Sequence, residues 1–275
     1  IARNRTTLEK LNSSDGYFGG GAYDYFKIEE GGETGRFYGY KDAGRLFMTN
    51  EELVGLKTID PKTGTLKYYR DDYNYERQGD VYIMDLDGDG QITADGDRTV
   101  IGNANPDFFG GFGSTLYWKG LMLNAVFSYS VGGDRFWDEE KNSSGDMNVY
   151  NTSNRILDSW TGNPGVNASY PRAMYYGWGS NSIITDRYIH DASYLRMTAL
   201  NLSYRLPKHL YKNSILNAVE FTFQATNLFT WTKYPGMDPQ GNFSTTYSAF
   251  YNMGIDYSTY PSARTYNFGI KLTLK

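Results

Sequence analysis

The sequence predicts an all-β fold, an antiparallel transmembrane β-barrel, and three observations point to it. The 275 residues contain no apolar run of about 18 or more, so no membrane-spanning helix is encoded. Aromatic residues make up 17% of a chain in which 21% of residues are charged, and Tyr and Trp are typical of barrel girdles at membrane interfaces. Segments of about ten residues alternate between apolar and polar side chains, as strands that cross a bilayer do.

Five segments carry this alternation, and in chain order they are Phe109–Trp118, Leu121–Val131, Leu195–Leu206, Asn217–Asn227 and Thr265–Lys275. The last segment alternates strictly and is the clearest strand, whereas the glycines of the first segment weaken its pattern. The third segment changes phase near Ala199, which predicts a β-bulge there. One or two further strands are expected before Tyr40.

The connections between these strands also favour a barrel. Only Lys119-Gly120 joins the first pair, and only the residues around 207–210 join the third and fourth strands. The remaining links, 132–194, 228–264 and the region before residue 109, are long and rich in Gly, Asn, Ser and aromatic residues. Short periplasmic turns alternating with long extracellular loops are typical of outer-membrane barrels. If the last strand ends in the periplasm, every long segment lies at the cell surface.

The composition and the first residues argue against several other classes of protein. The absence of Cys argues against a disulfide-stapled module and against thiolate metal or redox chemistry. A net charge of -4 lacks the basic footprint of a nucleic-acid-binding protein. No apolar stretch follows the basic residues of 1–5, so no signal peptide is visible. Since a barrel must be exported, we expect residue 1 not to be the start of the gene product.

An acidic loop follows the spacing of an EF-hand calcium site. Asp85, Asp87 and Asp89 occupy positions 1, 3 and 5, and Gln91 offers its carbonyl at position 7. Gly90, at position 6, and Ile92, at position 8, also match, but Gly96 stands where the bidentate acid of position 12 is expected, so Asp95 or Asp97 would have to serve. The alternative is an empty Asx- and Gly-rich turn. No helical pattern flanks the loop, which favours a structural calcium clip over a sensor.

Other candidate sites have weaker sequence support. Asp138-Glu139-Glu140 could suggest paired glycosidase carboxylates, but a solvated run of charges is the preferred interpretation. His190 and His209 lack a nucleophile motif and metal-ligand spacing, so both are interpreted as structural. Glycines 110, 111 and 113 precede strand rather than helix, unlike a phosphate-binding loop. We therefore predict that the chain is not an enzyme.

An aromatic group in a predicted outer loop is a weak candidate for substrate contact. Tyr175, Tyr176 and Trp178 could stack on sugar rings. Packing within the loop, or against a covering protein, is the alternative.

Several motifs spread along the chain belong to one known pattern. The main stretch runs from Gly79-Asp80-Val81-Tyr82 through the acidic loop to residues 97–108, Asp-Arg-Thr-Val-Ile-Gly-Asn-Ala-Asn-Pro-Asp-Phe. Further motifs are residues 35–40, 186–189, 193–196, 200–204, 227–234 and 260–266. Together, and in this order, they resemble the SusC/RagA-like TonB-dependent transporters. Two departures are an acidic loop one residue longer than usual and a last strand that ends Leu274-Lys275 without the family's aromatic residue.

The resemblance implies the C-terminal portion of a 22-stranded outer-membrane barrel, spanning residues 1–275, with the calcium loop and following segment, 79–108, inside an extracellular loop. The plug domain and the N-terminal strands would lie outside this chain. The implied function is TonB-dependent import of oligosaccharides or peptides. The implied partners are the TonB complex, a SusD-like lipoprotein lid and the lipid bilayer, and the transporter–lipoprotein pair could itself dimerise.

A second class of function is compatible with the same composition. A soluble, calcium-stabilised β-sandwich that binds carbohydrate would also show period-two alternation and many aromatic residues. Connections in a sandwich are not expected to divide into short turns at one end and long loops at the other. The barrel is therefore the preferred prediction.

Overall fold

The computed structural model describes residues 1–10, 17–19, 25–47, 49–55, 58–59, 66–67, 78–144, 153–162, 168–173, 183–212, 214–241, 253–257 and 259–275. In these ranges the chain forms mainly antiparallel strands with a few short helices. No helix found there has the length and apolar character needed to span a membrane.

The strands, in chain order, are β1 (Tyr17–Gly19), β2 (Phe26–Ile28), β3 (Arg36–Tyr40), β4 (Asp42–Leu46), β5 (Thr58–Ile59), β6 (Leu66–Lys67), β7 (Val81–Ile83), β8 (Arg98–Asn103), β9 (Phe108–Trp118), β10 (Leu121–Val131), β11 (Asp134–Trp137), β12 (Ile189–Asp191), β13 (Tyr194–Arg205), β14 (Leu216–Thr232), β15 (Ile255–Asp256) and β16 (Thr265–Leu274). The helices are α1 (Asn50–Gly55) and α2 (Asp138–Ser144), and 3₁₀ turns span Asn154–Asp158, Asp186–Tyr188 and Lys208–Tyr211.

The five predicted strands are confirmed and form one antiparallel sheet, in the order β16-β14-β13-β10-β9. The predicted bulge is also confirmed, because the pairing of β13 with β14 shifts register between Met197 and Ala199. Strand β14 runs to Thr232, five residues beyond its predicted end at Asn227, where a positive φ of 52° interrupts the alternation. The two-residue turn Lys119-Gly120 has positive φ at both residues (45° and 87°), as a tight hairpin turn requires.

The register gives the sheet one apolar face and one polar face. An apolar row crosses all five strands and consists of Leu116, Leu123, Leu202, Phe223 and Phe268. The adjacent row on the other face is polar and consists of Thr115, Asn124, Asn201, Gln224 and Asn267. Side chains link part of the polar row, since Asn124 Nδ2 donates to Thr115 Oγ1 at 2.8 Å and Asn201 Nδ2 donates to Asn124 Oδ1 at 3.1 Å.

The apolar face is exposed rather than packed on a second sheet. Phe268 is 82% exposed, Ile270 66% and Leu116 60%. In a β-sandwich these inward-facing residues would form the core between two sheets. Among the described residues, this sheet therefore has the arrangement of a barrel wall, whose apolar side chains face lipid.

The connections at the other end of the strands form a layer with a core of its own. We call this region, the described parts of 25–47, 78–107, 132–192 and 233–262, the loop layer. Its core contains Tyr25, Phe26, Phe37, Ala104, Phe136, Ile184, Tyr188 and Ile255. Phe136 is fully buried, and its ring centroid lies 4.9 Å from that of Tyr25. Short sheets support this core, including β12-β11-β15 and the sheet that pairs β3 with β8.

The acidic run 138–140 differs from its sequence interpretation as a solvated charge run, which is wrong. It begins α2, and Asp138 and Glu140 are only 1% and 6% exposed. Burial of a carboxylate requires partners. Lys141 and Asn142, one turn along the helix, contact Asp138. The other partners come from outside the helix: the Tyr25 hydroxyl donates to Asp138, and Arg155 and His190 contact Glu140, so the run alone did not indicate its burial.

Candidate functional site

The acidic loop lies between β7 and β8, in the loop layer. Strand β7 pairs with β4 on one side of the loop, and β8 pairs with β3 on the other. Ile92, at the apolar position of the loop, is 2% exposed and packs with Phe47 and Ile83 in a small hydrophobic cluster. This buried side chain fixes the loop to the layer, while Asp85, Asp87 and Asp89 remain near the surface.

The structure brings together the three acids predicted for positions 1, 3 and 5. One carboxylate oxygen from each of Asp85, Asp87 and Asp89 lies within 4.8 Å of the others. Asp85 Oδ1 accepts from Gly88 N–H at 2.7 Å, and Asp85 Oδ2 accepts from Gly90 N–H at 2.8 Å. Both glycines have positive φ, 75° and 85°, which allows the chain to turn tightly around the carboxylate. The spacing of these acids in the sequence thus predicted correctly that their carboxylates converge in one turn.

The electrostatics of the group show mutual repulsion at Asp87. A hydrogen bond from Asp89 N–H lowers the pKa of Asp87, but desolvation and the charges of Asp89 and Asp97 outweigh it, and the net effect is a raised pKa. A cation among the carboxylates would reverse this effect, because it favours the charged form.

The two acids predicted to replace position 12 lie outside the group. Asp97 is fully buried and holds the loop from beneath: Oδ1 accepts from Leu86 N–H and Oδ2 from Thr93 N–H, both at 2.7 Å. Asp95 is exposed. Among the described residues, the convergent acidic group comprises Asp85, Asp87 and Asp89 without either of them.

Gly96 explains why position 12 holds no acid. A Cβ at this position would lie 2.2 Å from Asp87 Oδ2, so a side chain there would displace that carboxylate. Gln91, which follows the acids at position 7, is 7% exposed, and its N–H donates to Asp89 Oδ1 at 2.7 Å. The loop therefore ends with Gly96 at position 12, followed by the buried Asp97.

The donor set fits calcium. Calcium binds oxygen at about 2.3–2.6 Å, so two oxygens on one ion lie at most about 5 Å apart. The spread of 4.8 Å among the three carboxylates is within this limit. Calcium takes six to eight oxygens, and carbonyl groups and water would complete the set.

Two motif residues connect the loop to distant segments through contacts that the sequence did not predict. Asp80 is fully buried and forms a bidentate ion pair with Arg172, with N–O distances of 2.7 and 3.2 Å. Gly79 has a φ of 84°, and a Cβ there would lie 2.3 Å from the ring of Trp160. Gly79 and Asp80 were noted as a motif, but nothing in the sequence indicated partners about eighty to ninety residues away.

The histidines occupy different positions in the structure. His190 Nε2 lies 2.5 Å from Glu140 Oε2, and the same carboxylate group contacts Arg155 and Tyr170. His209 is exposed in the short turn between β13 and β14. Tyr175, Tyr176 and Trp178, the weak candidates for substrate contact, lie outside the described residues.

A buried ion pair holds part of the loop layer against the polar face of the sheet. Arg196, on β13, contacts Asp238 Oδ1 at 2.5 Å, and the two side chains are 5% and 7% exposed. Arg196 also donates to Thr230 Oγ1 at 3.0 Å and to Gln240 Oε1 at 2.7 Å. Asp238 accepts from the backbone N–H of Ser262 at 3.3 Å. The segment after β14 is thereby tied to the end of the sheet.

Burial would raise the pKa of Asp238, but hydrogen bonds from Arg196, Gln240 and Ser262 outweigh it. The net effect is a lowered pKa for this carboxylate.

A sheet with an exposed apolar face, a polar opposite face and a folded loop layer at one end defines part of a transmembrane β-barrel. No family model matches the chain. TonB-dependent receptor P3 of Formosa agariphila is 30% identical over 99% of the chain, and the SusC receptor of Bacteroides thetaiotaomicron is 26% identical over 69%. The chain spans 26% and 17% of the length of these two relatives.

Solved structures support the same assignment. The RagAB peptide transporter superposes with a TM-score of 0.63 at 24% identity, and the open-open state of the RagAB peptide importer with a TM-score of 0.61 at 25% identity. In both cases 98% of this chain is covered, against 26% and 25% of the solved chain. The predicted resemblance is confirmed: over nearly its whole length the chain is similar to a portion of the barrels of SusC/RagA-like TonB-dependent receptors.

Proposed function

We propose that this chain forms part of the wall and outer loops of a TonB-dependent importer in a bacterial outer membrane. The observation that carries the proposal is the five-stranded sheet, whose apolar face bears exposed side chains such as Leu116, Phe268 and Ile270 while the opposite face carries a polar row across all five strands. A polar inner wall suits a water-filled path, and an apolar outer wall suits a bilayer. The chain's relatives are named as receptors and transporters, which supports transport rather than catalysis.

The proposed cargo is an oligosaccharide or a peptide. One relative is SusC, and the superposed structures are described as a peptide transporter and importer. We propose a SusD-like surface lipoprotein as the partner and the TonB complex as the source of energy. The lipoprotein would contact the loop layer, which is the part of the described chain that projects beyond the strands.

The test uses the full-length protein in its native host. Cells lacking the gene should lose uptake of fluorescently labelled oligosaccharides or of labelled peptides, and collapse of the proton-motive force should abolish the same uptake in wild-type cells. A matched strain that carries the gene on a plasmid should recover it. Unchanged uptake of both probe classes in the deletion strain would contradict the proposal.

The partner is tested separately. A lipoprotein should co-purify with the full-length barrel in mild detergent at native expression. Substitutions confined to exposed loop-layer residues, such as Met237→Glu, should weaken the association. The matched change Ile215→Glu, at the short-turn end, should leave it intact. Both residues are more than 60% exposed. Purification of the barrel without any such lipoprotein would contradict the partnership.

We propose the orientation that is typical of such barrels, with the long connections at the cell surface and the short turns in the periplasm. A single cysteine at Met237 should react with an impermeant thiol reagent on intact cells, and one at Lys212 should react only after the outer membrane is opened. Both positions are exposed in the folded chain. Labelling of Lys212→Cys on intact cells at the rate of Met237→Cys would contradict this orientation.

We further propose that Asp85, Asp87 and Asp89 bind calcium as a structural clip, with the Gln91 carbonyl as a further ligand. The convergence of three carboxylates within 4.8 Å supports this. Affinity should lie near the weak range of extracellular modules, roughly 10⁻⁴ to 10⁻³ M, because no bidentate acid stands at position 12. Asp95 and Asp97 remain predicted ligands, with Asp97 already holding the loop through two backbone N–H groups.

Calcium titration of the full-length protein tests the clip. Asp85→Asn with Asp89→Asn should abolish binding and increase protease cleavage between residues 84 and 97. Gly96→Ala should weaken binding by moving Asp87, since its Cβ would lie 2.2 Å from Asp87 Oδ2. Gly44→Ala is the matched control, because nothing lies within 4 Å of a Cβ there and the residue is outside the loop. If the Asp85→Asn, Asp89→Asn protein binds calcium as tightly as the wild type does, these acids are part of a surface turn and do not bind the ion.

A further inference from the structure

The short-turn end of the five-stranded sheet is strongly basic. The residues at this end, 117–122, 203–221 and 269–275, contain six lysines and arginines but one acid, Glu220. The six are Lys119, Arg205, Lys208, Lys212, Lys271 and Lys275, and all are exposed. The whole chain, by contrast, has 31 acidic residues against 27 basic ones. This end therefore has a net positive charge in a chain whose overall net charge is -4.

Exposed apolar side chains lie among these charges. Trp118 and Leu210 are both 62% exposed, and Ile215 is 73% exposed. Lys119 Nζ lies 5.3 Å from the ring of Trp118, so a cation and an aromatic ring occupy the same rim. Aromatic rings with neighbouring Lys and Arg are typical of the boundary between the hydrocarbon and headgroup regions of a membrane.

An apolar groove opens on the lipid-facing side of the sheet next to this rim. It has a volume of about 430 Å³, and its apolar lining comes from three adjacent strands, with Leu202 and Tyr204, Phe221 and Phe223, and Phe268 and Ile270. Arg205 follows directly after Tyr204, and Lys271 after Ile270, so both lie on the opposite, polar face, where each pairs with Glu220 on β14. The cations at the end of the groove are those of the two short turns, Lys119, Lys208 and Lys212. A hydrocarbon chain in the groove would bring its headgroup toward these three lysines.

We propose that the short-turn end binds anionic phospholipids of the adjoining membrane leaflet, with an acyl chain in the groove and the headgroup among the turn lysines Lys119, Lys208 and Lys212. Charge complementarity decides the occupant. Glu220, the one acid at this end, lies on the polar face between Arg205 and Lys271, so the turn lysines face the headgroup without a neighbouring carboxylate and select a negative headgroup over a zwitterionic one. Attraction to an anionic membrane surface is worth roughly fivefold in affinity per nearby Lys or Arg, and it weakens at high salt. The preference depends on the barrel fold and is independent of what the barrel transports.

The test compares retained lipids on the full-length protein by native mass spectrometry, after incubation with equal amounts of phosphatidylglycerol and phosphatidylcholine. The wild-type protein should retain more phosphatidylglycerol. The triple variant Lys119→Gln, Lys208→Gln, Lys212→Gln should lower the phosphatidylglycerol-to-phosphatidylcholine ratio at least about fivefold. The matched variant Lys10→Gln, Lys41→Gln, Lys233→Gln removes the same charge from three exposed positions elsewhere and should leave the ratio unchanged.

Two outcomes would overturn the proposal. An unchanged ratio in the first triple variant would show that this end has no headgroup preference. An equal loss in both triple variants would show only a general effect of net charge. Heat-modified mobility on gels shows whether both variants assemble in the outer membrane, which distinguishes misfolding from loss of lipid binding. The proposal does not require transport by the variants to change.

Discussion

Large apolar side chains are exposed in the five-stranded sheet and buried in the loop layer. Phe268, on β16, is 82% exposed, whereas Phe136, on β11, is fully buried. The loop layer also buries charged pairs such as Asp80 with Arg172, as a soluble domain can. The sheet instead depends on its hydrogen-bond ladder and on lipid to cover its apolar face. The same substitution should therefore have a large effect on folding in the loop layer and a small one in the sheet.

The largest expected effect is the loss of an aromatic ring from the loop-layer core. Phe136→Ala should destabilise the layer by about 3–5 kcal/mol, since the cavity left among Tyr25, Phe37 and Tyr188 cannot fully collapse. Limited proteolysis of the full-length protein in detergent should show cleavage in the layer increased roughly 100-fold or more. Phe268→Ala is the control and should leave that cleavage unchanged. Equal cleavage in both variants would remove the distinction between the regions.

The next effect concerns the ion pair that ties the layer to the sheet. Arg196→Ala should cost about 3 kcal/mol, because it leaves Asp238 buried without its cation. The value lies at the low end for buried pairs because Gln240 and Ser262 still donate backbone hydrogen bonds to Asp238. Arg196→Met combined with Asp238→Leu should recover much of the loss. If urea titration shows the double variant to be as unstable as Arg196→Ala, the pair stabilises the fold through its hydrogen-bond geometry rather than by balancing a buried charge.

A smaller effect on stability distinguishes the cost of a steric clash from the cost of backbone strain at two glycines. Gly79→Ala and Gly88→Ala both place a side chain at positive φ, 84° and 75°, but only Gly79 has a neighbour, the Trp160 ring at 2.3 Å from the added Cβ. Gly79→Ala should therefore cost about 1–3 kcal/mol more than Gly88→Ala. Urea titration monitored by near-UV circular dichroism measures the difference. Equal midpoints would show that Trp160 moves aside freely.

The smallest effect is a dependence on pH through Asp238. Its folded-state pKa is lowered from an ordinary value of 3.8, so its ionised form stabilises the fold above that pH. This stability should be lost as the pH falls below about 4 and through the lowered pKa. The urea midpoint of the wild-type protein should then fall more between pH 5 and pH 3 than that of the Arg196→Met, Asp238→Leu variant. Parallel curves would mean that other carboxylates account for the acid sensitivity.

Sequence alone predicted the sheet well because each strand carries its own evidence. Alternation at period two placed β10 correctly at both ends, and the phase change near Ala199 identified the bulge. The prediction failed where the backbone departs from regular geometry, as at Asn227, beyond which β14 continues for five residues.

The loop layer was harder to predict because its stability comes from pairs of residues distant in sequence. Asp80 and Arg172 are 92 positions apart, and Tyr25 and Asp138 are 113 apart. Neither member of such a pair differs in sequence from a solvated polar residue, which is why the run at 138–140 was misinterpreted. The acidic loop lies between these cases: its local spacing identified three convergent acids, but the burial of Asp97 depends on the fold around it.

The central claim is that the apolar face of the sheet contacts lipid while the opposite face lines a polar interior. Spin labels placed singly at residues 266 to 271 of the full-length protein in lipid nanodiscs test it most directly. The labels at 266, 268 and 270 should be accessible to oxygen and protected from a nickel chelate, and those at 267, 269 and 271 should show the reverse, with a period of two residues. Uniform accessibility along the strand, or the opposite phase, would contradict the account.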